Sequence, residues 1–192
     1  MDSDLSDGAL ARSAAQGDDK AFSLLVGRHK EALYRLLRRY TGDADEAYEA
    51  VHEAFIAAWG ALRRYDPQRP FGAWLRTIAI NKARDRGRRM SLRHLIFGAA
   101  GLDAVALLAA DPGQPADETL MDAQLARRLD GAISRLPAEL KAPLLLTAFD
   151  GHSHQEAGGI LGVSAKTIET RVYRARKMLA ERLDDDMRPS AR

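Results

Sequence analysis

Ser153-His-Gln-Glu-Ala-Gly-Gly-Ile-Leu-Gly-Val-Ser-Ala-Lys-Thr-Ile-Glu-Thr-Arg-Val-Tyr-Arg-Ala-Arg-Lys-Met-Leu-Ala-Glu-Arg-Leu183 decides the fold, because two helices and the turn between them can be read from it. Ser153 to Leu161 has helical spacing through Ala157 and Ile160. Gly162 then supplies a residue tolerant of positive φ, and Ser164 can cap a second helix running to about Leu183. In that second helix Ile168, Val172, Ala175, Leu179 and Leu183 form one apolar stripe. Lys166, Thr167, Glu169, Thr170, Tyr173, Arg174 and Lys177 are left outward or flanking. Helix, short glycine turn, helix is the unit that sets its second helix into a DNA major groove, where Arg, Lys and Thr reach base edges or phosphates. On an isolated helix Arg171, Arg174, Arg176 and Lys177 would read as a solvated basic face; the upstream turn chemistry favours DNA. Gly158 and Gly159 weaken the first helix by roughly 1 kcal/mol each relative to alanine.

Working outward, Pro143 falls inside the preceding helical segment and predicts a kink or a late helix start there. The periodic block begins near Glu118, with Leu120, Leu125, Leu129, Ile133 and Leu136 on one face, and residues 118–185 make one domain with 186–192 as a tail. Residues 91–117 lose the period and gather Gly98, Gly101, Pro112, Gly113 and Pro115, which reads as a flexible linker. Leu102 to Ala109 within it is either a short docking helix or unstructured. Upstream, residues 1–90 form another helical domain. A short helix near Leu5 to Ala15 comes first. A second runs from Ala21 to Tyr40 behind Asp18 or Asp19 as cap, and Gly42 stops it. A third, capped by Asp43 or Asp45, carries Ala47, Val51, Ala54, Phe55, Ala58, Trp59 and Leu62 inward as far as Arg64. After the turn Tyr65-Asp-Pro-Gln-Arg-Pro70, a fourth runs from Phe71 to about Arg89.

The periodic blocks on either side of the linker make two small helical domains, and composition agrees with an all-α chain, since Ala, Leu, Arg, Asp and Glu dominate and aromatic residues make up only 6%. The absence of cysteine excludes disulfides, thiolate catalysis and cysteine-held metals, and suits a reducing cytoplasm. The acidic N-terminus lacks the pattern of a secretory signal, and the apolar run from Leu95 to Ala110 is too short and broken to insert into a membrane. Net charge is only +2, so a nucleic-acid partner has to be sought in the local distribution of charge. His152, His154 and Glu156 straddle a helix start and find no completing motif, so they read as turn and surface residues and no metal is expected. No glycine-rich phosphate loop and no nucleophile with a base partner is present, so neither an enzyme nor a bound cofactor is expected.

Leu136-Pro137, Leu144-Leu-Leu, Asp150-Gly151, Gln155-Glu156-Ala157, Ile160-Leu-Gly-Val-Ser164, Thr167 and Arg171-Val-Tyr-Arg-Ala-Arg-Lys177 together resemble the C-terminal region of extracytoplasmic-function sigma factors. Leu33-Tyr-Arg-Leu, Gly42-Asp43, Val51-His-Glu-Ala-Phe55, Ala58-Trp59, Phe71, Trp74-Leu-Arg-Thr-Ile-Ala79 and Asn81 resemble the N-terminal region of the same family. The resemblance implies a subunit that gives RNA polymerase its promoter specificity for a stress- or signal-responsive regulon. A free-standing helix-turn-helix regulator is the alternative. The resemblance implies that Glu49, His52, Glu53 and Phe55 meet the β′ coiled coil of core polymerase, with Phe55 open to interface or core and Trp59 assigned to the core. It places −10 contacts on the loop residues Arg64, Asp66 and Gln68, on Asn81 as holder of a flipped base, and on Arg76, Lys82, Arg84 and Arg88. Arg86 and Arg89 extend that basic cluster. The −35 duplex falls to Lys166, Thr167, Glu169, Thr170, Arg171, Tyr173, Arg174 and Arg176, with the second domain near the β flap. Glu169, where relatives often carry a basic residue, and His154, Gly158 and Gly159 depart from the family pattern. An anti-sigma protein is a further implied partner.

Overall fold

In the computed structural model, which describes residues 5–97 and 120–187, every α or 3-10 element is helical and no strand occurs among the described residues. The elements are α1 Asp7–Ala15, α2 Asp19–Thr41, α3 Ala44–Ala61, a 3-10 turn Leu62–Arg64, α4 Phe71–Phe97, α5 Leu120–Ser134, α6 Ala138–Ala148, α7 His154–Leu161 and α8 Ala165–Met187. Most boundaries are made by residues that satisfy orphan backbone groups. The Asp18 carboxylate accepts from the Lys20 and Ala21 amides, and that of Asp43 from the Glu46 amide. Gly42 closes α2 at φ 80°.

The first domain is a bundle in which α2 packs on α1, α3 and α4. The inward face of α3 is nearly all alanine, and Ala47, Ala50, Ala54 and Ala58 are fully buried. Small side chains let α3 lie close to α2, whose Leu25, Leu33, Leu36 and Leu37 fill the space between. Phe71, Leu75, Ala79 and Ile80 bring α4 onto the same core. This helix does not end at Arg89 as expected; it runs on to Phe97, into the stretch read as linker. The physical reason is that Met90 to Phe97 contains no glycine or proline, and the first breaker is Gly98. The remainder of the linker reading, including Leu102 to Ala109, lies outside the described residues, as does the start near Glu118.

In the second domain α6, α7 and α8 enclose Ile133, Leu140, Leu145, Leu146, Ala157, Ile160, Ile168 and Val172. Leu125, expected on the inner face of α5, is instead 57% exposed; among the described side chains of α5, the buried ones are Ala132 and Ile133 near its C-terminal end. The helix holding Pro143 starts early, at Ala138, so the late start does not occur and Pro143 lies inside α6 as a buried apolar ring.

The domains pack directly on each other, α2 against α5 and α6, and α4 against α7. Arg76 on α4 meets Asp150 at 2.6 Å, and the Thr77 hydroxyl donates to the Ile160 carbonyl at 3.0 Å. Arg39 pairs with Asp130 at 3.2 Å and lies over the Phe149 ring. Lys141 Nζ donates to the Tyr40 carbonyl at 2.9 Å and the Ser134 carbonyl at 2.6 Å, so one ammonium serves the last turns of two helices, one from each domain. Burial pushes the Lys141 pKa down to about 8.

Candidate nucleic-acid and polymerase interface

The helix-turn-helix is built by its caps. Ser153 and Glu156 form a reciprocal capping box at the start of α7, the Ser153 amide donating to the Glu156 carboxylate at 2.8 Å and the Glu156 amide to Ser153 Oγ at 3.2 Å. The Ser153 hydrogen bonds also hold the Glu156 carboxyl below its ordinary pKa. Glu156 is thus engaged in the helix start. Among the described residues no group of three or more His, Cys, Asp or Glu could hold a metal ion. Gly162 ends α7 at φ 67°, and Ser164 Oγ accepts from the Thr167 amide to start α8. Gly158 turns out to be structural: the Val163 amide bonds its carbonyl, and a Cβ at 158 would come within 2.6 Å of the Val163 carbonyl oxygen. A Cβ at Gly159 would meet nothing within 4 Å.

Ile168, Val172, Ala175 and Leu179 are buried and fix the rotation of α8. Lys166, Glu169, Thr170, Tyr173, Arg174 and Arg176 therefore stand exposed, with Thr167 and Arg171 half-buried at the edges. Tyr173 is 70% exposed, far more than a tyrosine with a packing role would be. Lys166 pairs with Glu169 at 3.0 Å, and this hydrogen bond lowers the Glu169 pKa. Every residue expected to touch the −35 duplex lies in the first turns of one helix.

The second surface lies on the first domain. Phe22, Val26, Tyr34, Tyr48, Val51, Phe55, Ile56 and Trp59, rimmed by Lys30, Glu31, Arg35 and His52, line an open groove of about 930 Å³ between α2 and α3. Glu49 and His52 are exposed beside it and Phe55 is buried in its floor. Glu53 turns to the other side, where it and Glu46 hold the Arg86 guanidinium at 2.7 and 3.0 Å. Trp59 is not core: it is 40% exposed and stands on the rim with its ring against Phe22. The displacement follows from helix geometry, since the buried stripe already runs through Ala47, Ala54 and Ala58 and position 59 is rotated 100° away from its end. Tyr48, Ile56 and Phe22 were missed as site residues. The signal was present, because Tyr48 and Ile56 are large apolar residues on the face of α3 that should be polar.

The third surface follows the loop and α4. Tyr65 is buried, packs edge-on against Phe71 and tilted against Trp74, and donates its hydroxyl to the Arg69 carbonyl, so the loop rests on an aromatic pedestal. Arg64, Asp66 and Gln68 are exposed on it, with the Asp66 carboxylate accepting from the Gln68 amide. Thr77, Asn81, Arg84 and Arg88 fall at steps of four, three and four along α4, which puts them on one stripe. Asn81 and Arg88 are exposed, and Lys82 and Arg84 are half-buried. The structure separates Arg76 and Arg86 from this track, since both guanidiniums are taken by carboxylates in largely covered pairs, whereas the pair of Arg88 with Asp85 is exposed. The second domain abuts the stripe at Thr77.

The family described as sigma-70 region 2 matches residues 25–92, and that described as sigma-70 region 4 matches residues 126–179. The sequence is 41% identical over 173 residues to the RNA polymerase sigma factor NccH of Alcaligenes xylosoxydans xylosoxydans, covering 90% of this chain and 92% of that one. It is 31% identical over 178 residues to the ECF RNA polymerase sigma factor SigW of Bacillus subtilis (strain 168), covering 91% and 95%. Among solved structures it is similar to CnrH in complex with the cytosolic domain of CnrY, with a TM-score of 0.68, 33% identity, and 94% and 98% of the two chains covered.

Proposed function

The chain belongs to the extracytoplasmic-function sigma factors, and from that premise we propose how its surfaces divide promoter recognition. The α2–α3 groove with Glu49, His52 and Phe55 receives a helix of the polymerase β′ coiled coil, because an open apolar trough with a charged rim suits an amphipathic helix. Glu53 enters that contact after releasing Arg86. The Arg64, Asp66 and Gln68 loop and Asn81 capture unpaired −10 bases. Asn81 carries an amide that both donates and accepts, so it can read a Watson–Crick edge, and Lys82, Arg84 and Arg88 follow the phosphates. Arg76 joins them once Asp150 lets go. The exposed face of α8, from Lys166 to Arg176, reads the −35 duplex while its domain sits by the β flap.

In this reading residues 1–90, lengthened by the rest of α4, are the polymerase and −10 module, and 118–185 are the −35 module. The protein works in the cytoplasm and catalyses no reaction itself. CnrH is solved in complex with the cytosolic domain of CnrY, and an anti-sigma partner of this chain would compete for its polymerase-facing surfaces.

The observation that carries the proposal is that one chain joins matches to both regions, each on a domain with an exposed surface of the required chemistry. A free-standing regulator needs only the second. In vitro transcription with core polymerase on a promoter library is the test: protein-dependent start sites with a shared pair of upstream elements are expected. Asn81→Ala should slow open-complex formation about tenfold, the worth of about one or two hydrogen bonds to a base, with core binding unchanged. Loss of core binding would instead remove the base-capture role.

A further inference from the structure

The groove-facing part of α8 carries one residue whose chemistry is opposite to that of its neighbours. The buried Ile168, Val172 and Ala175 hold the helix in one rotation, and Glu169 is then exposed in the same turns as Thr170 and Tyr173. The hydrogen bond from Lys166 keeps its carboxyl below the usual carboxylate range, so at neutral pH Glu169 is ionised and can only accept. DNA offers such a group few partners. Phosphates repel it and offer no donor, and in the major groove the base donors are the N4 amine of cytosine and the N6 amine of adenine. The adenine amine lies beside N7, an acceptor that faces a carboxylate unfavourably, whereas cytosine presents its amine without an acceptor of its own in that groove. The pair with Lys166 joins two exposed side chains, so both can swing onto a base pair without opening the core.

We propose that Glu169 is a specificity-determining residue that selects cytosine at one position of the −35 element by accepting a hydrogen bond from its N4 amine. This rests on the −35 reading of α8 given above. The test is transcription by core polymerase and the full chain on a promoter library with the −35 element randomised, with the transcripts sequenced. The native protein should prefer cytosine about tenfold at one position. Glu169→Ala should erase that preference and leave those at other positions in place. Glu169→Gln should move it to adenine, whose N6 and N7 a carboxamide bonds together. Unchanged preferences in Glu169→Ala, or a uniform loss of transcription across the library, would overturn the proposal. Absence of any transcription with the native protein would instead remove the sigma reading on which it rests.

Discussion

The interior of the first domain and the seam between the two domains are held together in different ways. Inside, Leu25, Leu37, Ala54 and Ala58 are fully buried within an apolar cluster. Across the seam the named contacts are Arg76 with Asp150, Arg39 with Asp130, Thr77 with a carbonyl and Lys141 with two carbonyls. Apolar burial is lost outright when a core opens. A hydrogen bond or partly exposed ion pair is exchanged for one with water, at a net cost of about 1 kcal/mol. The buried apolar residues of both domains belong to one cluster, and the polar contacts across the seam are the part of it that water can replace, so the seam is the easier of the two regions to open. Parting is what the proposed mechanism requires, because Thr77 at the head of the proposed −10 stripe bonds the second domain, and Arg76 beside it is held by Asp150, while the domains are docked.

The sharpest way to break this contrast is to damage each region in turn. Leu37→Ala empties a fully buried site and should cost about 2–5 kcal/mol in urea denaturation. Asp150→Ala leaves Arg76 without its partner and should cost about 1–3 kcal/mol, expressed mainly as domain separation and a larger radius of gyration in solution scattering. A loss of global stability as large as that of Leu37→Ala would make the seam part of the core. The smallest effect is a pH dependence. With its pKa at about 8, Lys141 binds fewer protons in the folded protein than in the unfolded chain between that value and its ordinary 10.5. The Lys141 contribution to thermal stability should accordingly be flat below pH 8 and rise from there to about pH 10. Beyond that, Tyr40, whose pKa burial raises above 10, contributes the opposite slope. Lys141→Met should abolish the rise, and its persistence in that variant would assign it elsewhere.

The caps and stripes of α2, α3, α7 and α8 were legible in the sequence because each is written within one or two turns: Asp18, Asp43, Gly42, Gly162 and Ser164 all act on backbone close by. What was not legible needed partners far along the chain. Arg76 and Asp150 are 74 residues apart and Arg39 and Asp130 are 91 apart, and each alone reads as an ordinary solvated charge. Trp59 illustrates another limit. An apolar residue in a core and one on a docking groove have the same side chain, and only the rotation of the helix against its neighbours separates them. The polar surface of α8 was readable because the buried stripe of that helix is unbroken from Ile168 to Leu179.

Gly158 carries a consequence for evolution and for engineering. With the Val163 oxygen filling the space a side chain would need, the crossing of α7 and α8 is set by one main chain resting on another. Side chains along the outer face of α8 can then be exchanged without re-aiming the helix. If α8 reads the promoter as proposed, its preference can be rewritten residue by residue on a fixed mount, and the corresponding helix transplanted from a relative would keep its angle of approach as long as position 158 stays bare.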